Sequence, residues 1–388
     1  MPERSYFDWN ASAPLREQAR RAFEEALALT GNPSSVHAEG RAARAVVEKA
    51  REQVAALVGA RPGDVFFTSS GTEANVLALS PAWESAAEKR PRDRLFISAV
   101  EHASVQAGGR FSNALVEELP VDAEGRLRLD VLQKTLPKST RPLLSLMLAN
   151  NETGVIQPVA EAAALVHAAG GFLHVDAVQA VGRIACDINT LGADFLTLSA
   201  HKIGALKGVG ALVRAREELH LADPLIRGGG QERGLRAGTE NVAGIAAFGA
   251  AAAAAQARRE AETKHMLGLR NKLEAALRAI APDTVIFGEA AERLPNTTLF
   301  TLPGMKAETA VIAFDLEGIA VSSGAACSSG KVRPSHVLAA MGVSPALTRG
   351  AVRASLGWET AEIDVERFQI AWRKLASALS KGQRGIAA

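Results

Sequence analysis

The most constraining feature of this chain is a series of short apolar runs that stop abruptly at polar or charged residues. The runs show no strict alternation of polar and apolar residues, and helical patterns such as the one at 159–169 separate them. This pattern is typical of parallel strands whose two faces are both covered by helices. The sequence therefore predicts an α/β fold with a largely parallel sheet. The predicted strands occupy residues 65–68, 95–100, 143–148, 172–176, 194–199 and 210–214.

Polar motifs follow these runs at one end, the carboxyl end of each predicted strand. In parallel sheets, ligands bind beyond the carboxyl ends of the strands. Because polar residues in ordinary loops would be scattered over both ends of a sheet, this one-sided placement predicts a single site. The motifs lie at residues 68–72, 101–102, 150–151, 176–179 and 199–202.

A lysine and an aspartate stand at the ends of two neighbouring predicted strands. Asp176 ends the run at 172–176, and Lys202 follows the run at 194–199. Pyridoxal phosphate (PLP) binds through a lysine Schiff base and needs a carboxylate beside its pyridinium nitrogen. A buried carboxylate is costly unless it is paired, so Asp176 either binds such a cation or caps a helix. Lys207 is a rival lysine, but it lies farther from the strand end, so we expect Lys202 to bind the cofactor.

Further candidate ligands lie in similar polar contexts, and each has an ordinary structural alternative. The small residues at 68–73 predict a phosphate site, although a Ser/Thr helix cap explains them equally well. Gln179 can donate to a ring oxygen of the cofactor. His102 either stacks on the ring or moves protons, or is a satisfied strand-end histidine, and Asn151 is also a good turn residue. Arg353 interrupts a strand-like stretch, where it binds a substrate carboxylate or forms a structural ion pair.

The chain contains two cysteines in very different surroundings. Cys327 lies between Ser and Gly residues, with Lys331, Arg333 and His336 nearby, and this context favours an exposed, reactive thiolate. A harmless surface cysteine is the alternative. Cys186 has apolar neighbours, and we expect it to be buried and inert.

The bulk composition excludes several classes of protein. A net charge of +2 over 388 residues gives no reason to expect nucleic acid or a membrane surface as partner. The apolar stretch at 242–255 is shorter than the roughly 20 residues of a membrane span, which favours a buried helix. Two distant cysteines form neither a disulfide framework nor a paired-cysteine metal site. A reducing, cytoplasmic location is expected.

The length of the chain predicts two domains in close contact. The expected large domain comprises residues 15–257, and the smaller α/β domain comprises 1–14 together with 258–388. Helices are predicted at 15–29 and 38–58. A longer one is expected from about residue 241 into the charged segment at 257–272.

Motifs along nearly the whole chain resemble those of the cysteine desulfurases, a family in the class V aminotransferase branch of fold-type I PLP enzymes. Such enzymes have a mostly parallel mixed sheet between helices and a smaller C-terminal α/β domain. The long polar stretch after Cys327 resembles the branch with a long catalytic-cysteine loop. The matching motifs lie at 6–14, 31–37, 70–73, 101–102, 150–154, 174–179, 199–202, 236–240 and 322–330.

The resemblance implies a role for each candidate residue. Lys202 forms the Schiff base, Asp176 pairs with the pyridinium nitrogen, and His102 stacks on the ring and assists proton transfer. Thr239 is expected to reach the phosphate of the other subunit, which implies a homodimer with composite sites. The other implied ligands are Gly71, Thr72, Ser199 and His201 for the phosphate, Asn151 and Gln179 for the ring substituents, and Arg353 with Asn32 for the substrate carboxylate.

The implied reaction converts L-cysteine to L-alanine and leaves the sulfur on Cys327 as a persulfide. The sulfur then passes to an acceptor, such as an iron–sulfur scaffold protein or a component of tRNA or cofactor thiolation. A selenocysteine lyase and another class V aminotransferase without sulfur chemistry are alternative enzymes. A non-enzymatic scaffold that kept the fold is an alternative from a different class.

Overall fold

The computed structural model describes residues 4–86, 89–324 and 335–386. The strands are β1 Ser5–Tyr6, β2 Val65–Thr68, β3 Trp83–Glu84, β4 Arg94–Ser98, β5 Val116–Leu119, β6 Pro142–Met147, β7 Phe172–Asp176, β8 Phe195–Ser199, β9 Gly210–Arg214, β10 His220–Leu221, β11 Val285–Ile286, β12 Thr297–Thr301, β13 Ile319–Ala320, β14 Ser322–Ser323 and β15 Val352–Ser355. The α-helices are α1 Glu17–Leu27, α2 Ala38–Leu57, α3 Gly71–Ala78, α4 Ala103–Gln106, α5 Leu129–Thr135, α6 Val159–Ala168, α7 Val242–Ile280, α8 Ala307–Leu316, α9 His336–Ala340, α10 Pro345–Thr348 and α11 Glu362–Ile386.

A seven-stranded sheet forms the centre of the larger part of the molecule, in the order β2-β9-β8-β7-β6-β4-β5. Strands β4 to β8 are parallel, whereas β9 runs antiparallel to both of its neighbours, β2 and β8. The predicted α/β fold with a mostly parallel mixed sheet is therefore confirmed. Strand β9 is antiparallel to β8, and β2 is antiparallel to β9, so β2 points the same way as the parallel strands. Its carboxyl end therefore lies at the same edge of the sheet as theirs.

Both faces of this sheet are buried, which explains why its strands are continuous apolar runs. Phe66 belongs to one hydrophobic cluster and Phe67 to the other, and Phe172 and Leu173 divide in the same way. Successive side chains of a strand point to opposite faces, so each face needs its own apolar residue. The polar side chains inside these strands bond to one another, as His174 does to Ser145 at 2.8 Å and to Thr197 at 2.9 Å.

A four-stranded antiparallel sheet, β11-β12-β15-β14, organises the second part of the molecule. The N-terminal segment belongs structurally to this part, since β1 pairs in parallel with β13. Phe7 is fully buried there, with its ring centroid 5.2 Å from that of Phe368.

Helix α7 runs through both parts without a break. Asn241 caps its N-terminus by accepting a hydrogen bond from the N–H of Gly244 at 3.1 Å. Ile245 and Phe248 pack in the cluster around the seven-stranded sheet, and Leu269 and Leu273 pack in the cluster around the smaller sheet. The expected buried helix in the alanine-rich stretch is thus confirmed. The domain boundary near 257 lies between the two groups and stays a prediction. Within the described ranges, no helix has the length and apolar character to cross a membrane.

Arg16 holds the turn that follows β8. Its backbone N–H donates to the carbonyl of Gly204 at 2.8 Å, and its Nε donates to the carbonyl of Ile203 at 3.0 Å. The guanidinium stacks 3.6 Å from the ring centroid of Trp358 and forms a bidentate ion pair with Glu262, at 2.8 and 2.6 Å. Both side chains of this pair are buried. The buried Arg16–Glu262 ion pair therefore stabilises the turn that follows β8.

We expect Glu262→Gln to lower the free energy of unfolding by about 3 kcal/mol, because it leaves the buried Arg16 guanidinium without a counter-charge. The matched control is Glu24→Gln, which breaks the exposed pair with Arg20 and should change the free energy of unfolding far less. Denaturant unfolding of both variants measures the difference. Equal effects would contradict a structural role for the buried pair.

Candidate active site

A cavity of about 380 Å³ opens at the carboxyl ends of the sheet strands. It is large enough for a drug-sized ligand or cofactor, which occupy pockets of roughly 300–1,000 Å³. The structure brings nine of the predicted site residues to its wall. They are Gly71, Thr72, His102, Asn151, Asp176, Gln179, Ser199, His201 and Lys202.

Lys202 lies in a single 3₁₀ turn, Ala200–Lys202, that directly follows β8. Its Nζ donates to the backbone carbonyls of Asn10 and Ala11, at 2.6 and 2.9 Å. The rival Lys207 also lines the cavity, but it is exposed, whereas Lys202 is half-buried. Two carbonyl acceptors give Lys202 a defined position, which suits a lysine that must meet a ligand in one geometry.

Asp176 ends β7 and has both carboxylate oxygens oriented by hydrogen bonds. Its Oδ1 accepts from the N–H of Val178 at 3.0 Å, and its Oδ2 accepts from Asn75 Nδ2 at 2.8 Å. The same amide donates to Ser104 Oγ at 2.9 Å. Asn75 and Ser104 also line the cavity, and the sequence reasoning missed both. Asn75 lies inside the helical pattern of α3, where nothing in the sequence separates it from an ordinary helix residue.

The N-terminus of α3 opens onto the cavity. Ser70 is the helix cap, because its Oγ accepts from the N–H of Glu73 at 3.1 Å, so the structural alternative for this serine is correct. The next residue is Gly71, where an added Cβ would lie 3.2 Å from side-chain carbons of Ser199 and Val178. The first N–H groups of a helix have no partner inside the helix and favour an anion. The cap and the anion site therefore coexist.

Two histidines of the cavity are held in the neutral form. Burial lowers the pKa of His102, against the opposing effect of Asp176. The N–H of Ser104 donates to His102 Nδ1 at 3.2 Å, so the proton of the neutral ring lies on Nε2. Burial and the nearby charges of Lys202 and Lys207 lower the pKa of His201 to about 4.

Asn10, from the N-terminal segment, connects several predicted site residues. Its backbone carbonyl accepts from Gln179 Nε2 at 3.0 Å as well as from Lys202. Its side-chain Nδ2 donates to the carbonyl of Asn151 at 3.2 Å and to Thr297 Oγ1 at 2.9 Å. Asn10 was part of a recognised motif in the sequence but carried no assigned role.

Arg353 lies next to the cavity rather than in its wall. It is buried on β15, where Nη2 donates to Asp8 Oδ1 at 2.7 Å and Nη1 donates to the carbonyl of Asn151 at 3.0 Å. Its Nε is buried and has no hydrogen-bond partner among the described residues. The ion pair with Asp8 is the structural alternative, and a substrate carboxylate would compete for the same guanidinium. Substrate binding by Arg353 stays a prediction.

Two other predicted site residues do not line this cavity. Thr239 is exposed, and Asn32 is exposed with its Oδ1 accepting from the N–H of Ser34 at 2.8 Å. Cys327 lies outside the described residues. Cys186 is buried, as expected, and burial raises the pKa of its thiol to about 12.

The family model described as "Aminotransferase class-V" matches residues 5–368. The chain belongs to this family.

Relatives of this class-V aminotransferase carry names that agree with the motifs in its sequence. A protein named "Cysteine desulfurase IscS", from Dictyoglomus turgidum, is 39% identical over 370 residues, which cover 94% of this chain and 92% of the relative. A solved structure of a NifS-like protein from Rickettsia africae has a TM-score of 0.86 at 33% identity and covers 97% of this chain and all of its own. A structure described as "SspA in complex with cysteine" has a TM-score of 0.75 at 26% identity and covers 92% of this chain and all of its own. The resemblance to cysteine desulfurases is confirmed.

Glu152 is a buried acid beside the site of this class-V aminotransferase. Its Oε2 accepts from Ser335 Oγ at 2.6 Å. Burial raises the pKa of Glu152 from 4.5 to about 7, and the hydrogen bond from Ser335 and the charge of Arg353 oppose this rise only in part. The folded state therefore retains this proton at pH values where the unfolded chain has lost it.

The contribution of Glu152 to the stability of the apoprotein should consequently fall as pH rises from 4.5 to about 7. Glu152→Gln keeps an acceptor for Ser335 and removes the titration, so it should gain about 3 kcal/mol relative to the natural protein over this window. Denaturant unfolding at pH 5 and pH 8 measures this gain, with the exposed Glu118→Gln as control. A gain that does not depend on pH would contradict the raised pKa.

Proposed function

We propose that this class-V aminotransferase is a PLP-dependent cysteine desulfurase that converts L-cysteine to L-alanine and transfers the sulfur to Cys327. The observation that carries the proposal is the convergence of Lys202, Asp176 and the N-terminus of α3 on one cavity. A lysine, a carboxylate and an anion site at one cavity form the donor set that PLP requires.

The residues of the cavity fit this cofactor. The N-terminus of α3, with Thr72, Ser199 and the neutral His201, would bind the phosphate. Asp176, whose two oxygens are already oriented, would receive the pyridinium N–H. Asn75 Oδ1 is buried and has no partner in the described part of the chain, which is unusual for a polar atom and indicates a missing ligand or water at this wall. When bound, PLP supplies an electron sink for the α-carbon of an amino acid.

The residues at the cavity include groups that can accept and donate a proton during a reaction at an α-carbon. Lys202 Nζ lies at the cavity, where its amine can remove a proton from the substrate once it is neutral. Neutral His102 carries its proton on Nε2 and can exchange it with a ligand in the cavity. Arg353 would bind the substrate carboxylate by exchanging its ion pair with Asp8 for one with the substrate.

The sulfur step needs a thiol nucleophile, and the two cysteines differ in suitability. Cys186 is buried with a raised pKa, so Cys327 is the candidate. Its thiolate forms a bond to the substrate sulfur while the carbon–sulfur bond breaks. The electron pair stays on the carbon fragment, which takes up a proton and leaves as L-alanine. The persulfide sulfur then passes to an acceptor, and a relative solved with cysteine supports an amino acid of this size as substrate.

A homodimer in the cytoplasm completes the proposal. Thr239 is exposed in a single chain and lies away from the cavity wall, which fits a residue that reaches the phosphate site of a second copy. The expected acceptor is a protein such as an iron–sulfur scaffold.

Cys327→Ala should retain the visible absorption band of the bound cofactor but lose more than about 100-fold of sulfide and alanine formation from L-cysteine, because the attacking thiolate is absent. The control is Cys186→Ala, which should keep the activity within a few-fold, since this thiol is buried away from the cavity. Alanine quantification and sulfide release measure both variants.

Four outcomes would contradict the proposal. Undiminished desulfuration by Cys327→Ala would reject the assigned nucleophile. A keto acid as product would favour a transaminase, and faster turnover of selenocysteine with little sulfide from cysteine would favour a selenocysteine lyase. A purified protein without any visible band would favour a non-enzymatic scaffold.

A further inference from the structure

Arg183 is a buried arginine that the mechanism above does not use. It is 6% exposed and follows the predicted cofactor-binding segment by one turn of the chain. Its Nη1 donates to Gln179 Oε1 at 2.6 Å and to the backbone carbonyl of Gln179 at 2.5 Å, and its Nη2 is 3.4 Å from the carbonyl of Trp9. From behind, Thr263 Oγ1 on α7 donates to the Arg183 carbonyl at 2.6 Å.

No carboxylate in the described ranges forms an ion pair with Arg183. Burial and the positive charge of Arg353 lower the pKa of Arg183 to about 9, so the nearby charge repels rather than compensates it. An unpaired buried cation costs free energy that a packed apolar side chain of the same volume would not. Packing alone is therefore a poor reason for an arginine at this position.

The guanidinium determines which way the amide of Gln179 points. An arginine can only donate hydrogen bonds, so the atom of the amide that faces it must be Oε1. Nε2 then faces the carbonyl of Asn10. One of its two hydrogens forms that bond, and the other remains for a ligand in the cavity, whose wall includes Gln179. Without Arg183, the two ends of the amide are nearly equal in shape and could exchange.

The same carbonyl joins this amide to the lysine. Asn10 O accepts from Gln179 Nε2 at 3.0 Å and from Lys202 Nζ at 2.6 Å. A carbonyl oxygen has two lone pairs, so these two donors fill it. A continuous path of hydrogen bonds therefore runs from Arg183 through Gln179 and Asn10 to Lys202.

We propose that Arg183 is a positioning residue that locks the Gln179 amide with its N–H edge toward the cofactor and toward the lysine-binding carbonyl. The inference rests on the proposed function, because it concerns the phenolic oxygen of PLP that Gln179 is expected to face. An N–H donor stabilises the negative charge of this phenolic oxygen, whereas a flipped Gln179 amide would place its own Oε1 there and repel that charge.

The test is a pH titration of the visible absorption band of the holoenzyme. Loss of the donor leaves more negative charge on the phenolic oxygen, which raises the proton affinity of the adjoining nitrogen of the lysine–cofactor linkage. A hydrogen bond to a charged group corresponds to about one pH unit or more. Arg183→Met should therefore raise the titration midpoint by about one unit, and Arg183→Lys, which keeps donors and charge, should restore most of it.

Two further variants separate positioning from a general structural or charge effect. Gln179→Met removes the N–H edge without adding a charge, so it should raise the midpoint in the same direction even if Arg183→Met folds poorly. In a Gln179→Met background, Arg183→Met should cause no further shift. An equal shift in both backgrounds, or an unchanged midpoint in Gln179→Met, would overturn the proposal. Absence of the band from the natural protein would instead reject PLP binding itself, so the two failures are distinguishable.

Discussion

The hydrogen bonds of Asn10 are the constraint on which the rest of the site depends. This residue is 1% exposed, and its backbone and side chain together contact the smaller sheet and the cavity. Its N–H donates to Ser355 Oγ at 3.0 Å, and its Oδ1 accepts from Asn296 Nδ2 at 3.2 Å, while its carbonyl accepts from Lys202 and Gln179. The position of the candidate Schiff-base lysine is thus fixed by a segment almost 200 residues away in sequence. Folding of the smaller part of the molecule and assembly of the cavity are therefore coupled.

Besides the hydrogen bonds of Asn10, the site contains buried polar groups that lower the stability of the folded protein. Glu101 is fully buried, and burial raises its pKa well above the usual range. Glu152 and Arg183, which forms no ion pair within the described ranges, are also buried at a cost in stability. The buried Arg16–Glu262 pair under the lysine turn is better compensated, since its geometry is bidentate. Such groups are expected around a functional cavity, because a site that binds a charged ligand needs polar atoms that the empty protein only partly satisfies.

The sequence predicted the features that depend only on residues close together in the chain. Apolar runs buried on both faces identified the strands, and the polar residues at their carboxyl ends identified nine residues that now line one cavity. The direction of β9 was not predictable from its residues, because buried parallel and antiparallel strands have the same composition. Asn75 and Arg183 were missed for a related reason: each acts through a contact with Asp176 or Gln179 that exists only after folding. Thr239 and Asn32 stay predictions, because a single chain does not bring them to the cavity.

The proposed function depends most on Lys202 being the lysine that binds the cofactor. Borohydride reduction of the holoenzyme fixes the cofactor covalently to its lysine, and peptide mass spectrometry then locates the modified residue. Lys202 is half-buried and bound by two carbonyls, whereas Lys207 lines the same cavity but is exposed. We expect the cofactor mass on the peptide that contains Lys202, at that residue. Modification of Lys207, or of a lysine outside the cavity, would contradict it.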